Sequence, residues 1–258
     1  MTNVLVCIKR VPETSSQVLL TADGLSVDAR HVGYTVSAHE ESAVEIAIQV
    51  AEATGGTATV LTLGPGDAVA QLRDAVAVGC TRAVHIEADS EQFGPADVAA
   101  AIAEFVRSEE APVDLVLVGN DAADTGDFQV GVRLAYALER PVLTDISNVA
   151  VDGATVTARG TGPDGDEVFE LPVPAVIAIS EGGVSPRYPS IVGRMKAKKT
   201  AVEVIHTDVS PVTHRLKLKS PPEQPSSVEI LSKGPEAASA VVDMLIKIGV
   251  VKIKVVTK

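Results

Sequence analysis

Apolar runs alternate with amphipathic stretches along the first 140 residues of the chain. Short runs rich in β-branched residues predict buried parallel strands at residues 4–8, 57–63, 83–86 and 115–118. Apolar residues recur every three or four positions elsewhere, which predicts helices at residues 40–53, 67–78, 96–107 and 128–138. Because strand and helix alternate, the pattern predicts an α/β fold with a doubly wound, mostly parallel, nucleotide-binding-like sheet.

The pattern changes at Asp145, where shorter strand-like segments replace the alternation of strand and helix. These segments cover residues 149–151, 155–158 and 167–171, and turn-forming pairs such as Asp152-Gly153 separate them. They predict an antiparallel excursion from the sheet. Residues 175–179 form one more apolar run, which we expect to return to the parallel sheet, so the predicted α/β domain spans residues 1–183.

A basic segment follows this domain at residues 184–200. It carries the cations Arg187, Arg194, Lys196, Lys198 and Lys199 around the apolar residues Ile191, Val192 and Met195. An apolar anchor rimmed by cations predicts a loop that docks an acidic protein partner, and a solvated basic loop is the alternative. The net charge of −12 makes a nucleic acid a poor candidate for that partner.

Residues 201–258 predict an extended C-terminal arm that ends in a helix. Prolines at positions 211, 221, 222 and 225 oppose regular structure in its first part. Pro235 then marks a helix start, and its apolar face consists of Ala238, Val241, Leu245 and Ile248. Because this face has no obvious partner within the α/β domain, we expect the arm to reach a second subunit.

The charge of the chain changes sign near the end of the predicted α/β domain. Residues 1–180 hold 9 Lys and Arg against 27 Asp and Glu, whereas residues 181–258 hold 13 against 7. Such a division predicts two surfaces that meet different partners.

Several classes of protein are disfavoured by what the chain contains. No apolar run approaches the roughly 20 residues of a membrane span, and the first residues resemble a strand, so we expect a cytoplasmic protein without membrane insertion. Cys7 and Cys80 are too few for a disulfide framework and have no metal-ligand spacing. The sequence shows no nucleophile beside a base, so we assign no catalytic residue and favour a binding or carrier role over an enzyme.

The loop from Gly119 to Gly131 follows a predicted strand and opens a predicted helix. Such loops lie at the carboxyl edge of an α/β sheet, where ligands bind, and the helix N-terminus favours a phosphate. Its aspartates would repel a phosphate unless some of them face away. Lys9 and Arg10 follow the first strand at the same edge, and they are either anion-binding or solubilising residues.

Four segments together resemble the β subunit of electron-transfer flavoproteins, in the same order and at compatible spacing: residues 4–12, residues 43–47, the Gly119 to Gly131 loop, and residues 186–199. The resemblance implies a heterodimer with an α subunit that holds most of the FAD, while the β subunit binds AMP structurally. It also implies that electrons pass from flavoprotein dehydrogenases through the FAD to a quinone reductase-type or other redox acceptor.

The resemblance further implies which residues bind the nucleotide and which meet the partner. Nucleotide contacts are expected at Cys7, Ser37, Glu40, Leu63, Gly119, Asn120, Asp121, Ala122, Ala123, Asp124, Thr125, Gly126, Asp127, Phe128, Gln129 and Val130. The partner-recognition loop is expected at Ile191, Val192, Arg194, Met195, Lys196, Lys198 and Lys199, with Ile191 protruding.

Two departures from the family pattern leave a second interpretation of the bound nucleotide open. Ser37 to Glu40 stand where the family has Asn-Pro at the helix start, and Thr14 stands where many members have Tyr near the flavin. The first departure bears on the contacts of Ser37 and Glu40 with the nucleotide, whereas Pro12-Glu13-Thr14 resembles the nitrogen-fixation-associated or bifurcating branch, in which a second FAD replaces AMP. A third reading, from another class, is an adenine-nucleotide-using enzyme of a related α/β fold.

Overall fold

The computed structural model describes residues 1–13, 19–212, 216–219 and 228–251. Its contacts divide into two compact units, Met1–Lys219 and Ser220–Lys258, each of which we describe by itself. Thr14 and the prolines at positions 221, 222 and 225, which entered the sequence predictions, lie outside the described residues.

The strands of the first unit are β1 Asn3–Cys7, β2 Val11–Pro12, β3 Tyr34–Thr35, β4 Thr57–Gly64, β5 Arg82–Glu87, β6 Leu115–Gly119, β7 Val142–Asp152, β8 Thr155–Gly162, β9 Gly165–Pro172, β10 Ala175–Ile179 and β11 Val202–Ile205. The helices are α1 Ala38–Thr54, α2 Val69–Val78, α3 Pro95–Ser108, α4 Val130–Leu138 and α5 Ile191–Lys199, followed in the second unit by α6 Ala237–Lys247.

Nine strands of the described chain form one sheet in the order β11-β5-β4-β1-β6-β10-β7-β8-β9. The pairs from β11 to β7 are parallel, whereas β7 pairs with β8, and β8 with β9, in the antiparallel sense. Short strands β2 and β3 pair separately. The predicted doubly wound parallel sheet with an antiparallel excursion is therefore confirmed.

Helices cover both faces of the parallel strands, which explains why those strands are apolar throughout. Side chains alternate between the two faces along β1: Val4 and Val6 pack with α1 and α2, whereas Leu5 packs with α3 and α4. All three residues are at most 2% exposed. Burial on both faces removes the polar alternation that a half-exposed strand would show.

Strand β7 begins earlier than the sequence pattern predicts. Its first part pairs in parallel with β10, with Val142 opposite Val176, before the chain turns antiparallel against β8. Asp145 lies between the two parts with a φ of 59°. This irregularity, together with the polar residues around it, interrupts the apolar signal on which the prediction depended.

The first unit continues beyond the predicted domain end at residue 183, because β11 pairs in parallel with β5. Arg82 on β5 holds the new strand in place: its Nε and Nη2 donate to Glu203 Oε2 at 3.1 and 2.6 Å, and its Nη1 and Nη2 donate to the Glu109 carboxylate. The expected loop at residues 184–200 contains helix α5, so its second half is helical. The described residues of the first part of the predicted arm, 201–212 and 216–219, thus belong to the compact unit.

The second unit contains α6, preceded by a 3-10 turn at Gly234–Glu236 that includes Pro235. The helix predicted at the end of the arm is therefore confirmed. Val241 and Val242 of this helix are 43% and 49% exposed. Among the described residues, none of the helices combines the length and the hydropathy that crossing a bilayer requires.

Candidate functional site

The predicted nucleotide-binding residues come together at the carboxyl edge of the parallel sheet. Cys7 ends β1, Leu63 lies near the end of β4, and Gly119 ends β6. Ser37 caps α1 beside them. A Cβ atom at Gly119 would lie 2.9 Å from Glu40 Cγ, so the absence of a side chain there allows β6 and α1 to approach each other.

Glu40 connects the loop after β1 to the start of α1. Its Oε1 accepts a hydrogen bond of 2.7 Å from the backbone N–H of Lys9. Its Oε2 accepts from the backbone N–H of Ser37 at 2.9 Å and from the Ser37 hydroxyl at 2.8 Å. The residue is only 5% exposed. Burial raises the pKa of Glu40 to about 7, although the bonds from Ser37 and Lys9 act in the opposite direction.

The neighbouring thiol has no nucleophilic character. Burial, and secondarily the charge of Glu40, raises the pKa of Cys7 to about 12. A thiol with such a pKa stays protonated at neutral pH and does not attack an electrophile. Cys7 therefore contributes shape to this edge of the sheet.

The two helices that begin at this edge differ at their N-termini. Ser37 and Glu40 form a capping box that satisfies backbone groups at the start of α1. Helix α4 begins at Val130 after Gln129, whose side chain makes no capping hydrogen bond. The start of α4 therefore presents backbone N–H groups without a side-chain cap, and it is the better of the two places for an anion.

The segment between β6 and α4 is a tight, internally bonded turn. The carbonyl oxygen of Ala122 accepts from the backbone N–H groups of Thr125 at 3.1 Å and Gly126 at 2.6 Å. The N–H of Ala122 donates to the carbonyl of Asp127 at 3.1 Å. Gly126 has a φ of 66°, in the left-handed region, and a Cβ atom there would meet no other atom within 4 Å. Its outer side is open space at the sheet edge.

Lys9 and His39, neither of which is among the predicted nucleotide contacts, lie against two aspartates of this turn. His39 Nε2 lies 2.8 Å from Asp121 Oδ1, and Lys9 Nζ lies 2.6 Å from Asp124 Oδ1. His39 Nδ1 accepts from the backbone N–H of Glu181 at 3.0 Å, which holds the imidazole ring beside the turn. The positive charge of Lys9 removes part of the repulsion that the aspartates would exert on a phosphate.

Asn120 ties the turn to the neighbouring loops. Its side-chain oxygen accepts from the backbone N–H of Asp145 at 2.9 Å, and its own N–H donates to Ile179 at 2.8 Å. Ser180 donates its hydroxyl proton to Asp145 at 2.5 Å. Asn120 thus has a structural task in addition to any contact with a ligand.

The predicted partner-binding residues lie on α5, where all seven are exposed. The apolar side chains Ile191, Val192 and Met195 are 81%, 76% and 57% exposed. Tyr188, which the sequence analysis did not assign, is 95% exposed immediately before this helix. Together they form an exposed apolar patch, residues 188, 191, 192 and 195, beside the cations of the helix; because the sequence predicts that it docks a partner, we call it the docking patch.

A family model described as the electron transfer flavoprotein domain matches residues 24–210. The chain belongs to the β-subunit family of electron transfer flavoproteins. It is 32% identical over 208 residues to the electron transfer flavoprotein subunit beta of Bacillus subtilis, with 80% of this chain and 79% of the relative covered. It is 33% identical over 211 residues to that of Mycobacterium tuberculosis, with the same coverage. The human subunit beta is 30% identical over 236 residues, covering 88% of this chain and 92% of its own length.

Proposed function

We propose that the chain is the β half of a heterodimeric electron transfer flavoprotein. It holds AMP at the carboxyl edge of its sheet and docks flavoprotein dehydrogenases through α5. The FAD, held mainly by the α subunit, supplies the redox chemistry and passes electrons to a quinone reductase-type or other acceptor. The chain itself acts as a carrier subunit without bond-making catalysis.

The observation that carries the nucleotide proposal is the turn beside the uncapped start of α4, one of whose aspartates is paired with a lysine. Lys9 Nζ lies 2.6 Å from Asp124 Oδ1, and this pair lowers the electrostatic penalty of bringing the turn close to a phosphate. The N-terminal N–H groups of α4 provide donors for the phosphate. The residues that would hold AMP are those of the Gly119 to Val130 segment, with Cys7 and Leu63 at the ends of neighbouring strands in the same apolar cluster as Val118.

The capping of the α1 N-terminus bears on the choice between AMP and a second FAD. The segment Ser37 to Glu40 differs from the family's usual Asn-Pro, and here it closes the N-terminus of α1 with its own side chains. A ligand phosphate at that helix start would have to displace this capping box. We therefore favour a single phosphate at α4, as AMP has, and keep the second FAD as the alternative.

A pair of glycines allows a matched test of this site. Gly126 and Gly153 have nearly the same φ, 66° and 59°, and a Cβ atom meets open space at both. Replacing either by Val therefore imposes a similar backbone strain of about 1–2 kcal/mol. Only Gly126 lies in the proposed nucleotide site, because Gly153 occupies the turn between β7 and β8.

We expect the purified heterodimer carrying Gly126→Val to lose most of its AMP, and the heterodimer carrying Gly153→Val to retain it. AMP released by denaturation is quantified by chromatography, and circular dichroism checks that both variants are folded. Equal AMP content in the two variants would mean that the nucleotide binds elsewhere on the complex.

A further inference from the structure

Arg187, which precedes α5, makes an unusually complete set of contacts with one helix. Its Nε donates to Glu45 Oε2 at 2.9 Å, and its Nη2 donates to Glu45 Oε1 at 3.0 Å, which is a two-pronged pair. Its Nη1 donates to Glu52 Oε1 at 3.0 Å, and its own backbone N–H donates to Glu45 Oε2 at 3.1 Å. Main chain and side chain of Arg187 are therefore both fixed to α1.

Two carboxylates on the same face of α1 bind this guanidinium. Glu45 and Glu52 are seven residues apart on α1, so they lie on one face, two turns from each other. The side chain of Glu45 is only 5% exposed, whereas that of Glu52 is 61% exposed. Burial alone would raise the pKa of Glu45, but hydrogen bonds from Arg187 and Gln49 outweigh burial and hold the pKa below its ordinary value. The inner carboxylate therefore depends on Arg187 as its counter-ion.

Helix α5 has few apolar contacts that could fix its orientation. It is nine residues long, and Ala197 is its one buried residue. An isolated helix of this length is marginal in water, so its placement depends on contacts with its neighbours.

Two contacts with α2 hold the body of α5. Arg73 Nη1 donates to the carbonyl oxygens of Ala197 and Lys198 at 2.9 and 3.2 Å, near the C-terminal end of α5. Gly193 approaches α2 so closely that a Cβ atom there would overlap the carbonyl oxygen of Ala77. These contacts fix the middle and the end of the helix, and Arg187 is placed to fix its start.

We propose that Arg187, held by Glu45 and Glu52, is a positioning residue that sets the direction of the docking patch. This inference rests on the proposed docking function. Tyr188 directly follows Arg187, and the cap of α5 at Ser190 is only two residues further along. Rotation of the chain at Arg187 would move Tyr188, Ile191 and Val192 together. Holding the patch in one orientation before the partner arrives lowers the cost of ordering it during association.

The test uses the heterodimer with Arg187→Lys and Arg187→Met. Lys retains the positive charge, so Glu45 keeps a counter-ion, but Lys lacks the planar guanidinium that donates two parallel hydrogen bonds to a carboxylate. Met removes both the positive charge and the guanidinium donors. Arg159→Met is the matched control, because it removes an exposed positive charge from β8, outside the docking region.

The first measurement is amide hydrogen exchange of residues 188–199. We expect exchange there to rise about tenfold or more in Arg187→Met, and to a smaller extent in Arg187→Lys, while Arg159→Met leaves it unchanged. Unchanged exchange in both Arg187 variants would overturn the inference whatever the partner does.

The second measurement is electron transfer from a flavoprotein dehydrogenase that reduces the wild-type heterodimer. A positioning role predicts that KM for the heterodimer rises about tenfold in Arg187→Met while the limiting rate and the AMP content are unchanged. Raised exchange with an unchanged KM would show that Arg187 orders α5 but that α5 does not dock the dehydrogenase. That result would refute the docking function itself, and with it the functional part of the inference.

Discussion

The buried carboxyl group of Glu40 gives a quantitative prediction about stability and pH. Glu40→Gln replaces it with a side chain that does not ionise in either the folded or the unfolded chain. The pKa of Glu40 is raised from 4.5 to about 7 in the folded chain. Between these two values the folded chain binds a proton that the unfolded chain has lost, so rising pH favours the unfolded chain.

The size of the effect follows from the difference in pKa. The two pKa values differ by about 2.5, and each pKa unit corresponds to about 1.36 kcal/mol, so the difference in free energy is about 3 kcal/mol. We therefore expect the stability of the wild-type chain, relative to Glu40→Gln, to fall by about 3 kcal/mol as the pH rises from about 4.5 through about 7. Above that range the relative stability should be constant, because the carboxyl group is ionised in both states.

Urea unfolding of the full-length chain at several pH values measures this difference. Circular dichroism is the suitable probe, because the chain contains no Trp. Glu110→Gln, an exposed residue at the opposite edge of the sheet, controls for the loss of one negative charge. A relative stability that stays constant or increases with pH would refute the reasoning. It would mean that the hydrogen bonds from Ser37 and Lys9 outweigh the burial of Glu40.

Two further predictions concern the docking patch and the edge of the sheet. Ile191→Ala should weaken docking to a dehydrogenase by about 1–2 kcal/mol, seen as about a tenfold rise in KM, without changing stability, and Val212→Ala, also exposed, should leave docking unchanged. A wild-type KM for Ile191→Ala would exclude it as an anchor. Arg82→Met should lower the free energy of unfolding by about 1 kcal/mol, because Glu203 on β11 loses its ion pair, and the loss should shrink in high salt. Arg159→Met should change stability by less than about 0.5 kcal/mol, and an equal effect of both substitutions would contradict the role of Arg82.

The parallel strands could be predicted from sequence because they are buried on both faces. Strand β11 could not, since it pairs at the edge of the sheet and its Glu203 and Val204 remain exposed. Helix α5 was predicted as a loop for a similar reason. Ala197 is its one buried residue, and its other contacts with α2 involve backbone carbonyls and a glycine, so the buried side of this helix leaves almost no apolar pattern in the sequence.

The candidate nucleotide site was found in part from its position after a strand and before a helix. The Gly119 to Gly131 turn has that local signature, so its placement at the sheet edge could be predicted. The pairing of His39 with Asp121, and of Lys9 with Asp124, joins residues more than 80 positions apart in the chain. Such pairs depend on how β1, α1 and β6 are arranged in space, and no local pattern in the sequence indicates them.

The central claim is tested most directly by the ligand content of the assembled protein. The chain is co-expressed with a candidate α subunit from a neighbouring gene, the complex is purified, and FAD and AMP are released by denaturation and quantified. We predict one FAD and one AMP per heterodimer. Two FAD without AMP would contradict the AMP assignment and identify a bifurcating-type subunit, and the absence of any complex or flavin would contradict the proposed function as a whole.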